Sequence, residues 1–557
     1  MINLDIVTMY LDTSKTTING KTYHRYLLRE SYREDGKVKN RTLANISKAS
    51  EAEINAIKLA LQHKDDMTSL LSIKDVELHD GHRVGVVIAL KNLADRLGIS
   101  KVLGSSREGK LALWLIMARL IGQGSRMGAV RMADIHGATE ILGLESFCED
   151  DLYTSLAWLA ENQDRIERQL FKYTQPVAFS ELLLYDVTSS YLEGMKNVLA
   201  TFRYNRDGKK GKMQIVIGLL CTADGDPVAI RVFSGNTSDK STVAEQIRTV
   251  AQTFGIQDIT MVGDKGMIKS PQAKQLTDAG FHYITSLSKP EIRTLLKAEV
   301  LQMDYFDSEL YDVENPIGGV RYILRRNPVR QAEMAKNRQE RVQKIQRYIE
   351  EKNNYLAASV KRDKDIALKA LQKRVAHYKL NDVLKVVSEE RSLKVTINEE
   401  ILKEKTLLDG CYVIKTDVKK NEVITARQVH DRHKDLAKVE HAFRTFKQVH
   451  LEIRPVFVRT EASTRGHVFS VMLAYKIERY LSALWKDCKC TVPEGIDILG
   501  AISSTIVTHL GASCQKIPKP GNLARQLLAA AGITLPVVVP AKTVNVVTRI
   551  KLVESRN

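Results

Sequence analysis

Tryptophan and cysteine are the scarcest side chains in this 557-residue chain, three of one and six of the other. The cysteines (Cys148, Cys221, Cys411, Cys488, Cys490 and Cys514) are scattered, which excludes a disulfide-stapled scaffold and fits a reducing compartment. Only Cys488 and Cys490 are neighbours, and one C-x-C without a second cluster is a poor zinc signal. With 31 glycines and 12 prolines, the chain is neither collagen-like nor low-complexity. It has no long apolar run: the stretch from Gln526 to Ala541 is too short to span a bilayer and contains Pro536 and Pro540. The N-terminus, with Asp5, lacks the basic-then-apolar pattern of a signal peptide. Also missing are G-x-x-x-x-G-K-[ST], H-E-x-x-H and G-x-S-x-G, the marks of phosphate-cradling loops, zinc peptidases and serine hydrolases. These absences leave a soluble intracellular protein, expected in the cytoplasm with no membrane partner.

Positive charge is abundant. Lysine and arginine number 84 against 66 acidic residues, a net +18 with a pI near 9.4. Such a chain attracts polyanions, and nucleic acid is the commonest one inside a cell. The excess is concentrated: residues 325–379 carry sixteen Lys/Arg against six Asp/Glu. A solvated helical face would look the same, so motifs must decide between the two.

At 44% hydrophobic and 27% charged, the chain can build about three or four domains. Residues 1–73 read as a β-containing module, since Tyr23–Tyr32 and Lys37–Leu43 flank the turn pair Asp35-Gly36. The arms are dense in Lys, Arg and Tyr, as a ribbon lying on DNA or a solvated hairpin would be. Residues 74–175 read as helical, with Val87, Leu90, Leu93, Ala94 and Leu97 on one stripe and Gly98 as a stop. Leu93–Ser100 is similar to the first helix and turn of a helix-turn-helix, which makes this region a candidate DNA-binding module. From 176 to 300 the texture is α/β. Glu181–Tyr185 is a continuous apolar run ending at Asp186, Met213–Cys221 and Val228–Phe233 are further strands, and Asp258–Gly263 ends at Asp264. Residues 301–425 interrupt this pattern with the basic segment. Helical spacing returns at Asp431–Lys447 and Gly466–Leu484 within 426–510, and 511–557 form a C-terminal tail.

Three acidic residues stand out. Asp186 and Asp264 each end an apolar strand, where open α/β sheets place ligands. Glu440 shares a helix face with His433, Arg444 and Lys447, all within about 60°, beside an apolar flank of Val439, Phe443 and Phe446. A solvent-facing Glu–Arg pair would give the same spacing, and turn or cap roles would explain the aspartates. His430 and His433 have metal-like spacing, but no cysteine or third histidine completes a zinc site.

Tyr185–Ser189, Val262–Met267 and Val439–Lys447 resemble, in order, the three acidic motifs of bacterial insertion-sequence DDE transposases. More narrowly they resemble the "IS-four" superfamily, in the subgroup with a long insertion before the final glutamate. Its last motif is Y-x-x-R-x-x-x-E-x-x-x-x-x-x-K. Glu440 and Lys447 match it, while His433 replaces the tyrosine and Leu436 the arginine. Ser31–Lys37, Arg41–Asn45, Leu451–Val456 and Gly466–Phe469 extend the resemblance over most of the chain.

The resemblance implies an α/β multidomain protein with an RNase H-like catalytic core interrupted by an inserted domain. Its acidic triad would be Asp186, Asp264 and Glu440. Three converging carboxylates repel one another unless divalent cations neutralise them, and oxygen-only ligands favour Mg²⁺ or Mn²⁺, as two ions. Lys447, Arg444 and Lys265 would hold DNA phosphates near the site, and Arg338, Arg341 and Lys344 would do so along the basic segment. The partners would be double-stranded DNA, as terminal inverted repeats and target, with a homodimer or larger assembly forming on DNA in the nucleoid. An RNase H-like nuclease or resolvase, or a non-enzymatic descendant, would share these features. If a hairpin intermediate forms, Tyr305, Phe306, Tyr311 or Tyr322 would stack the displaced base, since no tryptophan lies in 301–425.

Overall fold

A computed structural model describes residues 8–18, 20–34, 37–64, 76–122, 124–174, 182–203, 208–256, 259–315, 319–419, 424–448, 451–454, 458–509 and 512–539. The chain divides into two compact units, one made of residues 1–81, 503–518 and 536–539, the other of 82–502, 519–535 and 540–557. In the first unit, β1 (Thr8–Ile18), β2 (Lys21–Glu34) and β3 (Lys37–Asn45) form an antiparallel sheet in that order. The β2–β3 ladder closes at Glu34↔Lys37, as the hairpin reading requires, while Asp35-Gly36 lies outside the described residues. Helix Glu51–Gln62 follows, its start fixed by a reciprocal Ser50–Glu53 capping box. The chain then runs into β4 (Val76–Arg83).

The second unit is built on a nine-stranded sheet. In chain order its strands are β5 (Leu182–Tyr191), β6 (Thr201–Phe202), β7 (Met213–Thr222), β8 (Pro227–Phe233), β9 (Thr260–Val262), β10 (His282–Ser286), β11 (Tyr311–Glu314) and β12 (Arg321–Arg326). After a segment that carries the separate hairpin β13 (Leu384–Glu389) and β14 (Ser392–Ile397) comes the last, β15 (Cys411–Thr416). The spatial order is β11-β12-β15-β10-β9-β5-β7-β6, with β8 also on β7. β5 is antiparallel to β7 and parallel to β9, which is parallel to β10.

Strand period explains the two cores. Leu182 and Leu184 join Val262 and Ile284 on one face, and Leu183, Tyr185 and Val187 join Met261 and Tyr283 on the other. One expectation needs correction: β5 does not end at Asp186 but runs on to Tyr191. β7 goes on pairing there, from Asp186↔Leu219 to Tyr191↔Gln214, after β9 has ended.

The helices of 85–174 share the first of these cores with the long helix Glu461–Leu484. The turn read at Gly98 is present, with φ 75° between helices Gly85–Arg96 and Ile99–Leu103. The next helix, Arg107–Ile121, is buried from Leu111 through Leu120, and Trp114 donates to the Ala129 carbonyl at 3.0 Å. Helices Glu149–Glu161 and Glu461–Leu484 touch at Gly466, where a Cβ would stand 1.9 Å from the Leu156 carbonyl oxygen.

Between β12 and β15, helices Pro328–Ala357, Lys364–His377 and Glu399–Leu407 and the β13–β14 hairpin enclose their own core of Ile345, Leu356, Leu371, Val375, Leu384 and Leu393. Within the stretch expected as 301–425, the self-packed part is therefore 328–407. The flanking strands belong to the main sheet.

The chain returns to the first unit with β16 (Ser503–His509) and β17 (Ala512–Lys516), which extend β4 in the order β17-β16-β4. Helix Asn522–Ala530 then packs on the second unit, where Trp485 donates to the Leu527 carbonyl at 3.0 Å. Among the described residues, no helix is long and apolar enough to cross a membrane.

Candidate active site

The first two carboxylates are brought together by strand register. Leu184 pairs with Val262 at the last rung of the parallel β5–β9 ladder, so Asp186 and Asp264, two residues further along each chain, stand side by side just past the end of that ladder. Asp186 has the parity of Leu184 and so belongs to the face that packs under helix Leu436–Lys447. Each aspartate accepts a 2.7 Å hydrogen bond from the next backbone N–H, Val187 for Asp186 and Lys265 for Asp264, which steadies the carboxylate.

Glu440 comes from that helix. Leu436, Val439, Ala442, Phe443 and Phe446 recur at helical spacing and are buried against the sheet, leaving Glu440 on the flank. The helical run expected at Asp431–Lys447 is two helices, Ala426–Lys434 and Leu436–Lys447, which meet at Asp435. His433 and Glu440 stay on a common side across that junction. Both line one cavity of about 430 Å³, together with Asp186, Asp264, Asp239, Lys434, Ala437 and other groups.

Asp239 and Lys434 were not legible as site residues. Asp239 follows Ser238 at the first position of helix Asp239–Arg248, an ordinary acidic start, and Lys434 ends its helix as many lysines do. Burial lowers the His433 imidazole to about 4 against the opposing pull of Asp264, and its buried Nε2 has no hydrogen-bond partner. It is a neutral ring at physiological pH. His430 faces elsewhere: it is buried, bonded to the Tyr412 hydroxyl, and 3.1 Å from Asp431. The two histidines therefore do not form the metal pair that their spacing suggests.

The expected phosphate contacts fall into three groups. Arg444 is exposed and lies 3.6 Å from Glu440 as an (i, i+4) pair, and Lys447 sits two turns beyond Glu440 at the helix end. Lys265 is exposed next to Asp264. On helix Pro328–Ala357, Arg341 and Lys344 are exposed, but Arg338 donates twice to the buried Asp409, at 2.9 and 2.7 Å. That guanidinium is occupied within the fold. Of the four aromatics, Phe306 and Tyr322 are core residues, while Tyr305 and Tyr311 stack on each other at 4.3 Å with Tyr311 exposed.

Four carboxylates and one neutral imidazole around a single cavity are a hard, oxygen-rich donor set suited to Mg²⁺ or Mn²⁺. Among the described residues, no group of three His, Cys, Asp or Glu side chains is placed to hold one ion by itself.

Two family models match the chain. Residues 11–69 match the N-terminal domain of IS1634 family transposases, and residues 178–477 match the transposase DDE domain. A comparison with curated proteins finds no match. Among solved structures, a cryo-EM structure of a piggyBac transposase synaptic complex with hairpin DNA aligns at 9% identity and a TM-score of 0.33, over 70% of this chain and 69% of that one.

Proposed function

The chain belongs to the DDE transposase family, matched over more than half its length, and from that premise we propose how this DNA transposase works. Its catalytic residues are Asp186, Asp264 and Glu440. The observation that carries the reading is the one cavity these three line, although they stand 78 and 176 residues apart in sequence. The strand sequence β8-β7-β5-β9-β10, with successive strands antiparallel from β8 to β5 and parallel from β5 to β10, supports an RNase H-like core. The segment 328–407 is then an inserted domain, and the long second interval of the triad accommodates it.

Asp186, Asp264 and Glu440 would hold Mg²⁺ or Mn²⁺, which when bound activates an attacking hydroxyl and stabilises the leaving oxygen of an in-line displacement. Lys434 at the cavity wall and Lys447 and Arg444 on the Glu440 helix supply positive charge to the phosphate undergoing substitution. His433, neutral and short of a partner, can hydrogen-bond a water or DNA hydroxyl without adding charge. Water as attacking group gives strand cleavage, and a freed DNA 3′-hydroxyl gives strand transfer. The substrates are the element's terminal inverted repeats and target DNA, bound by a homodimer or larger assembly.

The test uses a duplex that carries the sequence ends flanking the gene, with a supercoiled plasmid as target. Mg²⁺ should give cut ends and ends joined to the plasmid, and EDTA should remove both. Cutting without any joined product would identify a nuclease instead. Mn²⁺ binding followed by electron paramagnetic resonance should weaken in Asp186→Asn, a readout that does not depend on turnover.

A further inference from the structure

Behind the helix that carries Glu440 lies a second and larger cavity, about 740 Å³. Lys438 and His441 line it from that helix, and Tyr475, Glu478, Arg479 and Lys486 line it from Glu461–Leu484 and the turn that follows. Ala437 borders both this cavity and the catalytic one. Asp224 and Gly225 close one end. Gly225 has φ +85°, and a Cβ there would stand 2.8 Å from the Lys438 Cβ, so the turn packs tightly on the helix.

Glu478 is out of place in an ordinary core. It is 9% exposed, its Oε2 has no hydrogen-bond partner, and burial pushes its carboxyl up to about 7. Retaining a buried acceptor without a donor is costly unless something bound supplies one. Around it stand three cations, two of them already ion-paired. Arg479 donates to the Asp224 carbonyl at 2.7 Å and lies 3.8 Å from the Asp224 and Asp226 carboxylates. Lys438 donates to the Ala223 carbonyl at 2.7 Å and pairs with Asp435 at 2.9 Å, and Lys486 is exposed and forms no ion pair among the described residues. Tyr480 adds a half-buried aromatic ring. An inorganic anion would satisfy Lys486 and leave Glu478 without a donor, whereas an apolar ligand would satisfy neither. A flat ring bearing N–H donors and attached to a phosphate satisfies all three.

We infer that this cavity binds a nucleotide, its base turned to Glu478 and Tyr480 and its phosphate to Lys486 and Arg479. The nucleotide is either free or displaced from a DNA strand, and the chemistry of recognition is the same. Because the helix Leu436–Lys447 forms a wall of both cavities, an occupant here bears directly on the element that holds Glu440.

The full-length protein is titrated by calorimetry with guanosine monophosphate, whose N1–H and N2–H can both face one carboxylate, and with inorganic phosphate. Guanosine monophosphate should bind at least tenfold more tightly than phosphate. Glu478→Leu should weaken it at least tenfold, and Lys486→Gln several-fold. Lys486 is exposed, so that variant decides the matter if the buried one does not fold. A second arm follows fluorescence of a duplex from the gene's flanks that carries 2-aminopurine. A rise lost in Glu478→Leu assigns the nucleotide to DNA, and binding of guanosine monophosphate without such a rise assigns it to a free nucleotide. Absence of both signals, phosphate binding as tightly as the nucleotide, or unchanged signals in both variants would overturn the inference. Neither arm involves DNA cleavage, so this site and the transposase reading fail or stand separately.

Discussion

Burial sets the protonation of two titratable side chains beside the Glu440 helix, in opposite directions. It holds His433 down to about 4, hence neutral, and raises Glu478 to about 7. Glu478 has a consequence for stability. The folded chain keeps its proton up to about pH 7, while the unfolded chain releases it near the ordinary value of 4.5. Between those values the folded state binds more protons, so stability falls as pH rises from about 4.5 to 7, by at most about 3 kcal/mol. Glu478→Gln should remove that slope, matching the wild type near pH 4.5 and exceeding it at pH 8 in urea melts. Equal slopes in both proteins would mean that Glu478 is ionised throughout. At this scale the sequence was legible where residue type and register coincide. Asp186 and Asp264 end apolar runs of parallel neighbours, and a parallel ladder brings such ends together. Asp239 and Lys434 stood outside any such pattern, because a helix start and a helix end accept those residues everywhere.

The helix Leu436–Lys447 depends on its apolar flank. Phe446 is fully buried, with edge-on contacts to Phe443 at 6.0 Å and Tyr475 at 5.0 Å. Phe446→Ala should destabilise the protein by about 3–5 kcal/mol. It should also reduce cleavage beyond the loss of folded protein, measured per folded molecule, because Glu440 loses its platform.

The basic helix Pro328–Ala357 separates two kinds of arginine. Arg341→Gln with Lys344→Gln should leave the melting temperature nearly unchanged and flatten the log K versus log[salt] slope for DNA by about 1.8. Arg338→Gln should instead leave Asp409 buried without its partner, at a cost of about 3–5 kcal/mol, with little change in that slope. The reverse pattern in filter binding and melting would reassign the DNA contact to Arg338. Charge density along the sequence announced this helix but could not tell which cation turns inward, because Asp409 lies 71 residues away. Strands with apolar runs were legible for the same reason that β1, with its polar sequence TMYLDTSKTTI, was not: its pattern signals no buried face.

At the scale of the whole molecule, order along the chain and order in space diverge. β16 and β17, more than 400 residues beyond β4, join it in one sheet, and the C-terminal segment read as a tail contributes β17 and helix Asn522–Ala530. Pairings between such distant segments leave no periodicity to read. The order of the three acidic motifs survived every intervening element, and so the family was legible when much of the architecture was not.

The central claim is that Asp186, Asp264 and Glu440 act as one metal-dependent centre. The most direct measurement is Mg²⁺-dependent nicking of a duplex carrying the gene's flanking ends, on denaturing gels, by the wild type and by Asp186→Ala, Asp264→Ala, Glu440→Ala and the exposed control Asp95→Ala. The account predicts cutting by the wild type and the control, and background levels for the three others, each still folded and still bound to the DNA. Wild-type nicking by any one of those three variants would contradict it.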